Sequence, residues 1–232
     1  MKSVVLLLSG GLDSAVLLAD LKSQGLELWA LNIDYGQRHS RETRAAKRLA
    51  EKYSVPLFSL QLPQLRQLMG GSALTSESIP VPEGHYQEEV MKQTVVPNRN
   101  MVFLSLAASY ALSVKAEGVA YAAHSGDHHI YPDCRPEFIQ KVSEVLRVCD
   151  WHSVGLLTPY AQFSKGEILK RGIELGVPFE ETWSCYQGGA EPCGLCGTCV
   201  ERAEAFAACG IEDPLLRSDD QLTLREKRQG RL

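Results

Sequence analysis

The chain has 232 residues, 44% of them hydrophobic, with 24 Lys plus Arg against 28 Asp plus Glu and a formal charge of −4. That length and apolar content sustain one large folded domain, or one domain with a small appendage, and exclude a mainly disordered chain. The mild acidity argues against a broad nucleic-acid surface, which needs a basic face.

Val4–Leu8 is a short apolar run of β character, and Ser14–Gln24 shows helical spacing through Val16, Leu17, Ala19, Asp20 and Leu21. Glu27–Ile33 predicts a second strand, Ser40–Tyr53 a charged amphipathic helix and Val55–Leu60 a third strand. So dense an alternation implies right-handed crossovers and a doubly wound parallel sheet. Residues 61–98 lose periodicity and carry Pro, Gly, Ser and Glu, the character of a lid or binding loop. Met101–Lys115 predicts an apolar helix, Gly118–Ala123 a fourth strand, Pro136–Val148 a helix and Val154–Leu157 a fifth strand. Ser164–Leu175 is helical and is stopped by Gly176 and Pro178. A cysteine cluster follows, then a helix over about Thr198–Cys209 and a polar tail. The apolar run after Ser3 is too short for a signal-peptide core and no stretch has membrane-spanning length, so the expected compartment is the cytoplasm.

Between the first strand and first helix stands Ser9-Gly10-Gly11-Leu12-Asp13-Ser14. Two glycines let the backbone turn its N–H groups inward, and a helix N-terminus with serine hydroxyls adds donors for an anion. Two adjacent glycines alone would also suit an ordinary strand-to-helix turn. The string lacks the lysine of a Walker A loop and the third glycine of a dinucleotide fingerprint. In full, S-G-G-x-D-S resembles the pyrophosphate loop of the ATP pyrophosphatase (PP-loop) superfamily. Members of that superfamily cleave ATP between the α and β phosphates and adenylate a substrate oxygen. The resemblance implies that Ser9, Gly10, Gly11, Asp13 and Ser14 cradle the phosphates and help hold Mg²⁺. Leu8 and Leu12 complete the implied ATP loop.

Ligands of open α/β sheets sit beyond the carboxyl ends of the strands. Asp34-Tyr35-Gly36-Gln37-Arg38-His39 follows the second strand, Pro97-Asn98-Arg99-Asn100 opens the apolar helix, and His124 to His129 follows the fourth strand. Tyr131-Pro132-Asp133-Cys134-Arg135 comes next, and Thr158-Pro159 with Lys165 follows the fifth strand. A histidine metal site at 124–129 is disfavoured, because no neighbouring cluster completes a ligand set. Cys185, Cys193, Cys196 and Cys199 form two overlapping C-x₂-C units in a glycine-rich knuckle. Four thiolates suit tetrahedral Zn²⁺ with no open position, hence a structural site that staples a short C-terminal subdomain. Cys134, Cys149 and Cys209 read as structural.

DYGQRH at 34–39, VPNRN at 96–100, YPDCR at 131–135, Thr158-Pro159 with Lys165, and the cysteine cluster occur in this order. Together they resemble the 7-cyano-7-deazaguanine synthase family of queuosine-precursor biosynthesis, from about Val4 to Phe206. The resemblance implies an adenine nucleotide alpha-hydrolase-like fold: a five-stranded, doubly wound parallel sheet over 1–180, with a zinc-bound helical subdomain over 181–232. It also implies 7-carboxy-7-deazaguanine, ammonia and two ATP as substrates, acyl-adenylate and amide intermediates, a nitrile product and a homodimer. With no further domain to release ammonia from glutamine, free ammonium is the expected donor. By position and chemistry, Asp34 belongs to the ATP site, Arg99 and Lys165 face phosphates, and Arg38 or Arg135 meets the substrate carboxylate. Asp133 or Asp127 reads the deazaguanine edge, and Tyr35 or Tyr131 stacks on the ring. Asp13, Arg99 and Lys165 are the expected catalytic groups. The competing readings are another PP-loop enzyme, either a tRNA thiolase or a ligase for a different amine, and a zinc-knuckle nucleic-acid module. Missing basic extensions count against the thiolase, and acidity with an intact loop against the module.

Overall fold

The computed structural model describes residues 1–85 and 88–215; most of the polar tail, and with it residues 216–232 of the expected C-terminal subdomain, lies outside the described residues. The strands are β1 (Ser3–Leu7), β2 (Glu27–Asp34), β3 (Leu57–Gln61), β4 (Gly118–Ala120) and β5 (Gly155–Leu157). The helices are α1 (Leu12–Ser23), α2 (Arg41–Lys52), α3 (Leu65–Leu68), α4 (Glu88–Met91), α5 (Arg99–Val114), α6 (Pro136–Leu146), α7 (Lys165–Glu174) and α8 (Gly197–Ala208). All strand pairs are parallel, in the order β3-β2-β1-β4-β5. The chain therefore winds outward from β1 to β3 and returns on the other side at β4. That reversal opens a crevice at the carboxyl ends of β1 and β4.

Side-chain alternation along β1 feeds two cores. Val4 and Leu6 pack with Val16, Leu17 and Leu18 of α1 and Ile168 and Leu169 of α7. Val5 packs on the opposite face with Leu104, Ala107 and Ala111 of α5 and Val142 of α6. Helix α1 is enclosed almost all round, with Leu12 and every residue from Ser14 to Leu21 buried. Helix α2 instead keeps only Ala45, Ala46, Leu49 and Ala50 inside, as its alternation of charge and alanine predicts. A capping box opens α7: Ser164 Oγ accepts from Glu167 N–H at 3.3 Å while Ser164 N–H donates to Glu167 Oε2 at 2.7 Å. That lock fixes Lys165 at the first helical position.

The lid expected over 61–98 is a packed layer instead. Ala73 and Val81 join the cysteine cluster in one apolar group, and Gly84 N–H donates to Leu195 O at 2.7 Å. Met69, Leu74, Met91 and Val96 bury against α5 and its neighbours. Isolated apolar residues spread over short turns show no period, so the burial leaves no helical or strand signature. The C-terminal segment likewise joins the main core. Ala205 and Phe206 of α8 pack with α1 and α7, and Arg202 makes a buried two-pronged pair with Asp213 at 2.6 and 2.8 Å. Among the described residues no helix is long and apolar enough to cross a membrane.

Candidate active site

The phosphate loop is held by its own serines. Ser14 Oγ donates to Gly11 O at 3.0 Å and accepts from Gly10 N–H at 3.2 Å, while Ser9 Oγ accepts from Gly11 N–H at 3.2 Å and lies 3.0 Å from Ser14 Oγ. Helix α1 begins after Gly11 with no side-chain cap, so its first N–H groups remain available to an anion. Gly10 has φ +94°, and a Cβ there would lie 2.2 Å from Glu42 O and 2.7 Å from Ala46 N. Only glycine lets α2 approach this closely.

The crevice holds a cavity of about 260 Å³. One half is polar. Lys165 Nζ donates to Asp13 Oδ2 at 2.6 Å and lies 3.4 Å from Glu201 Oε2. Burial works against charge on Lys165, but Asp13 and Glu201 outweigh it and keep the ammonium protonated. Burial likewise raises Asp13, yet Lys165 and His124 hold its carboxyl below the ordinary value. His124 Nδ1 accepts from Gly126 N–H at 3.1 Å, which leaves Nε2 to carry the proton towards Asp127 Oδ2 at 3.4 Å. Burial pushes Asp127 up to about 6 against the pull of His124 and Lys165. Asp13 Oδ1 is buried without a hydrogen-bond partner, an anionic oxygen beside the phosphate loop that fits a divalent cation.

The other half is aromatic, with Tyr35, Phe103, Tyr131 and Tyr186 on its walls. Tyr35 meets Phe103 edge-on at 5.4 Å, and Tyr131 Oη lies 2.7 Å from Thr94 Oγ1 and 3.5 Å from Tyr186 Oη. Arg99 opens α5 among these rings. Burial disfavours its charge, but the guanidinium's own basicity keeps it protonated, with a hydrogen bond to the Tyr35 hydroxyl. Glu42, in the first turn of α2, shares this half, and burial raises its carboxyl to about 7 despite Arg99.

The cavity thus brings together Leu8, Ser9, Gly11, Leu12, Asp13, Ser14, Tyr35, Arg99, Asp127, Tyr131 and Lys165. Gly10 supports the loop from behind. Asp34, Arg38, Asp133 and Arg135 are not in the cavity wall. Asp34 Oδ1 accepts from Gly36 N–H at 3.0 Å, and Asp133 Oδ2 accepts from Asn100 N–H at 3.0 Å, closing the start of α5. Arg38 Nη1 donates to Ala73 O and Ile79 O at 3.0 Å, and Arg135 Nε to His128 O at 2.8 Å. Arg38 and Arg135 each direct a guanidinium nitrogen to loop carbonyls, while Arg99 is the arginine in the cavity wall. The sequence reading missed Glu42, Tyr121, Tyr186 and Glu201. Glu42 and Glu201 sit in charged helices, where acids pass for solvent-facing residues. The one available signal for Glu42 was its place at a helix start just beyond a strand's carboxyl end.

Cys185, Cys193, Cys196 and Cys199 offer sulfurs that all lie within 4.8 Å of one another. Tetrahedral ligation at about 2.3 Å needs sulfurs about 3.8 Å apart, so the set fits a metal ion. Cys193 N–H and Cys196 N–H donate to neighbouring sulfurs at 3.3 Å. The knuckle leads directly into α8, which carries Thr198 and Glu201 into the cavity wall.

A parallel sheet reversing at β1/β4, with a glycine-serine phosphate loop and a lysine–carboxylate cluster at that edge, defines an α/β protein of the PP-loop type. The model of the family described as Queuosine biosynthesis protein QueC matches residues 3–210, and the chain belongs to that family. It is 54% identical over 211 residues to the 7-cyano-7-deazaguanine synthase of Methanoregula boonei, covering 91% of this chain and 97% of that one. It is 50% identical over 218 residues to the protein of the same name from Psychromonas ingrahamii, covering 94% and 99%. Among solved structures, NMN synthetase from Francisella tularensis shares the fold at a TM-score of 0.50 and 12% identity, over all of this chain and 87% of that one.

Proposed function

We propose that the protein converts 7-carboxy-7-deazaguanine and ammonium to 7-cyano-7-deazaguanine, consuming two ATP. The observation that carries this reading is the Ser9–Ser14 loop meeting Lys165 through Asp13 at the β1/β4 crevice, in a chain of this family. The substrate carboxylate attacks the α-phosphate of ATP, pyrophosphate departs, and an acyl-adenylate remains. Ammonia displaces AMP to give the amide. A second ATP adenylates the amide oxygen, and loss of AMP leaves the nitrile. These steps need charge neutralisation and alignment more than a protein nucleophile. The first N–H groups of α1, the serine hydroxyls and Lys165 bind the phosphates. The aromatic rings hold the deazaguanine plane, and Arg99, charged among them, offsets negative charge on the bound substrates. Mg²⁺, held by Asp13, would offset phosphate charge. Four thiolates and a closed geometry support Zn²⁺ at the cysteine knuckle, with a structural role. We take 1–180 as the ATP-binding α/β domain, whose site is completed by residues of the metal-bearing subdomain 181–232, in a cytoplasmic homodimer.

The test is incubation with ATP, Mg²⁺, ammonium and the acid, followed by mass spectrometry. The expected result is the nitrile with two AMP per turnover. Accumulation of amide alone, a conjugate with another amine, or no AMP would overturn it.

A further inference from the structure

We propose that Glu42 reads the guanine-like edge of the acid substrate, its carboxylate accepting the ring N–H and the adjacent exocyclic amine N–H. The inference rests on the reading under Proposed function and adds the residue that gives that reaction its choice of base.

Among the described residues four carboxyl groups line the cavity, and three lie beside Lys165 or His124. Asp13 and Glu201 flank Lys165, and Asp127 faces His124. Asp133, the other acid expected to read the ring, is bound to the start of α5. Among the described residues, Glu42 is the lining carboxyl that pairs with no cation, and it lies close to Tyr35 and Arg99. Its side chain makes no hydrogen bond and no ion pair among the described residues, and Arg99 is the cation that acts on it. A carboxyl that faces the cavity half-buried and without a protein partner is open to one that arrives. A coplanar pair of N–H donors is such a partner, because a carboxylate accepts two parallel bonds in plane.

Placement agrees with the chemistry. Glu42 lies on a helix whose backbone is pressed against Gly10, so its distance from the phosphate loop is fixed by backbone rather than by a mobile loop. Tyr35, Phe103, Tyr131 and Tyr186 supply faces for a planar ring. In a 7-carboxy-7-deazaguanine, the paired donors lie on the six-membered ring and the reacting carboxyl on the five-membered ring. Anchoring the donor edge at Glu42 turns the carboxyl away from α2 and towards the polar half.

The experiment compares 7-carboxy-7-deazaguanine with its analogue lacking the 2-amino group, at saturating ATP and ammonium, in the wild type, Glu42→Gln and Glu42→Asp. The wild type is expected to favour the parent acid roughly ten- to hundredfold in kcat/KM. Glu42→Gln raises KM for the parent by a similar factor, leaves KM for ATP within about twofold, and erases most of the discrimination. Glu42→Asp keeps the charge but shortens the reach, and retains part of it. A wild type that converts the acid without discriminating, or a Glu42→Gln enzyme with wild-type KM and discrimination, overturns the assignment. Should Glu42→Gln not fold, Glu42→Asp decides, since undiminished discrimination there also overturns it. A wild type that adenylates no acid at all defeats the underlying reading instead.

Discussion

Glu42 carries a cost that can be measured without any substrate. Burial raises its carboxyl from 4.5 to about 7, so the folded chain keeps a proton that the unfolded chain releases near pH 4.5. Where the folded state binds more protons, stability falls as pH rises. The penalty is absent below pH 4.5, grows between 4.5 and about 7, and is fully present above that. Glu42→Gln removes the ionisation. Thermal melts of the ligand-free protein should find the variant level with the wild type near pH 4.5 and more stable above pH 7. A variant less stable above pH 7 would show that the carboxylate supports the fold. Residues of this kind were the least legible in the sequence. Arg99 and Lys165 were readable because each opens a helix at the sheet edge with no sequence neighbour to bind. Arg38 and Asp133 looked equivalent, but a backbone carbonyl or N–H satisfied them, and such partners come from distant loops that no spacing reveals.

At the scale of elements, most of the fold was legible in the sequence. The strand–helix alternation up to Leu60 and the apolar α5 follow from periodicity, with boundaries displaced by one or two residues. The segment 61–98 carries no periodic signal because it buries single residues rather than a face. Helix α8 was placed correctly but underestimated, since its role depends on what the knuckle before it fixes. Cys196 is the residue preceding α8, and Glu201 lies just over one turn further on. Stripping the metal should therefore loosen the Glu201–Lys165 contact as well as lower stability. Chelation is expected to lower the melting temperature and to weaken ATP binding at least severalfold, with metal restoring both. Calorimetric titration with ATP before and after chelation checks this. A metal-free protein that still melts cooperatively and binds ATP normally would reduce the knuckle to a surface ornament.

For the whole molecule, the order β3-β2-β1-β4-β5 decides where chemistry sits, since one reversal brings residues from four separate strand ends to a single crevice. The parallel sheet followed from the sequence, but the two halves of the crevice did not, because their division depends on how α2 and α8 lean on the phosphate loop. Gly10 lies at that meeting point. Its carbonyl accepts from Trp183 N–H at 2.9 Å, while its missing side chain admits the backbone of α2. The earliest loop of the chain is thus finished only when a segment more than 170 residues later arrives. During synthesis on the ribosome, a nascent chain that already displays Ser9–Ser14 should still be unable to hold nucleotide. A chain ending at residue 180 is expected to show no ATP binding by equilibrium dialysis, and a chain ending at 215 to show it. The loop nearest the start would thereby act as a checkpoint for completion, reporting by its affinity that the distal chain has been made and has docked.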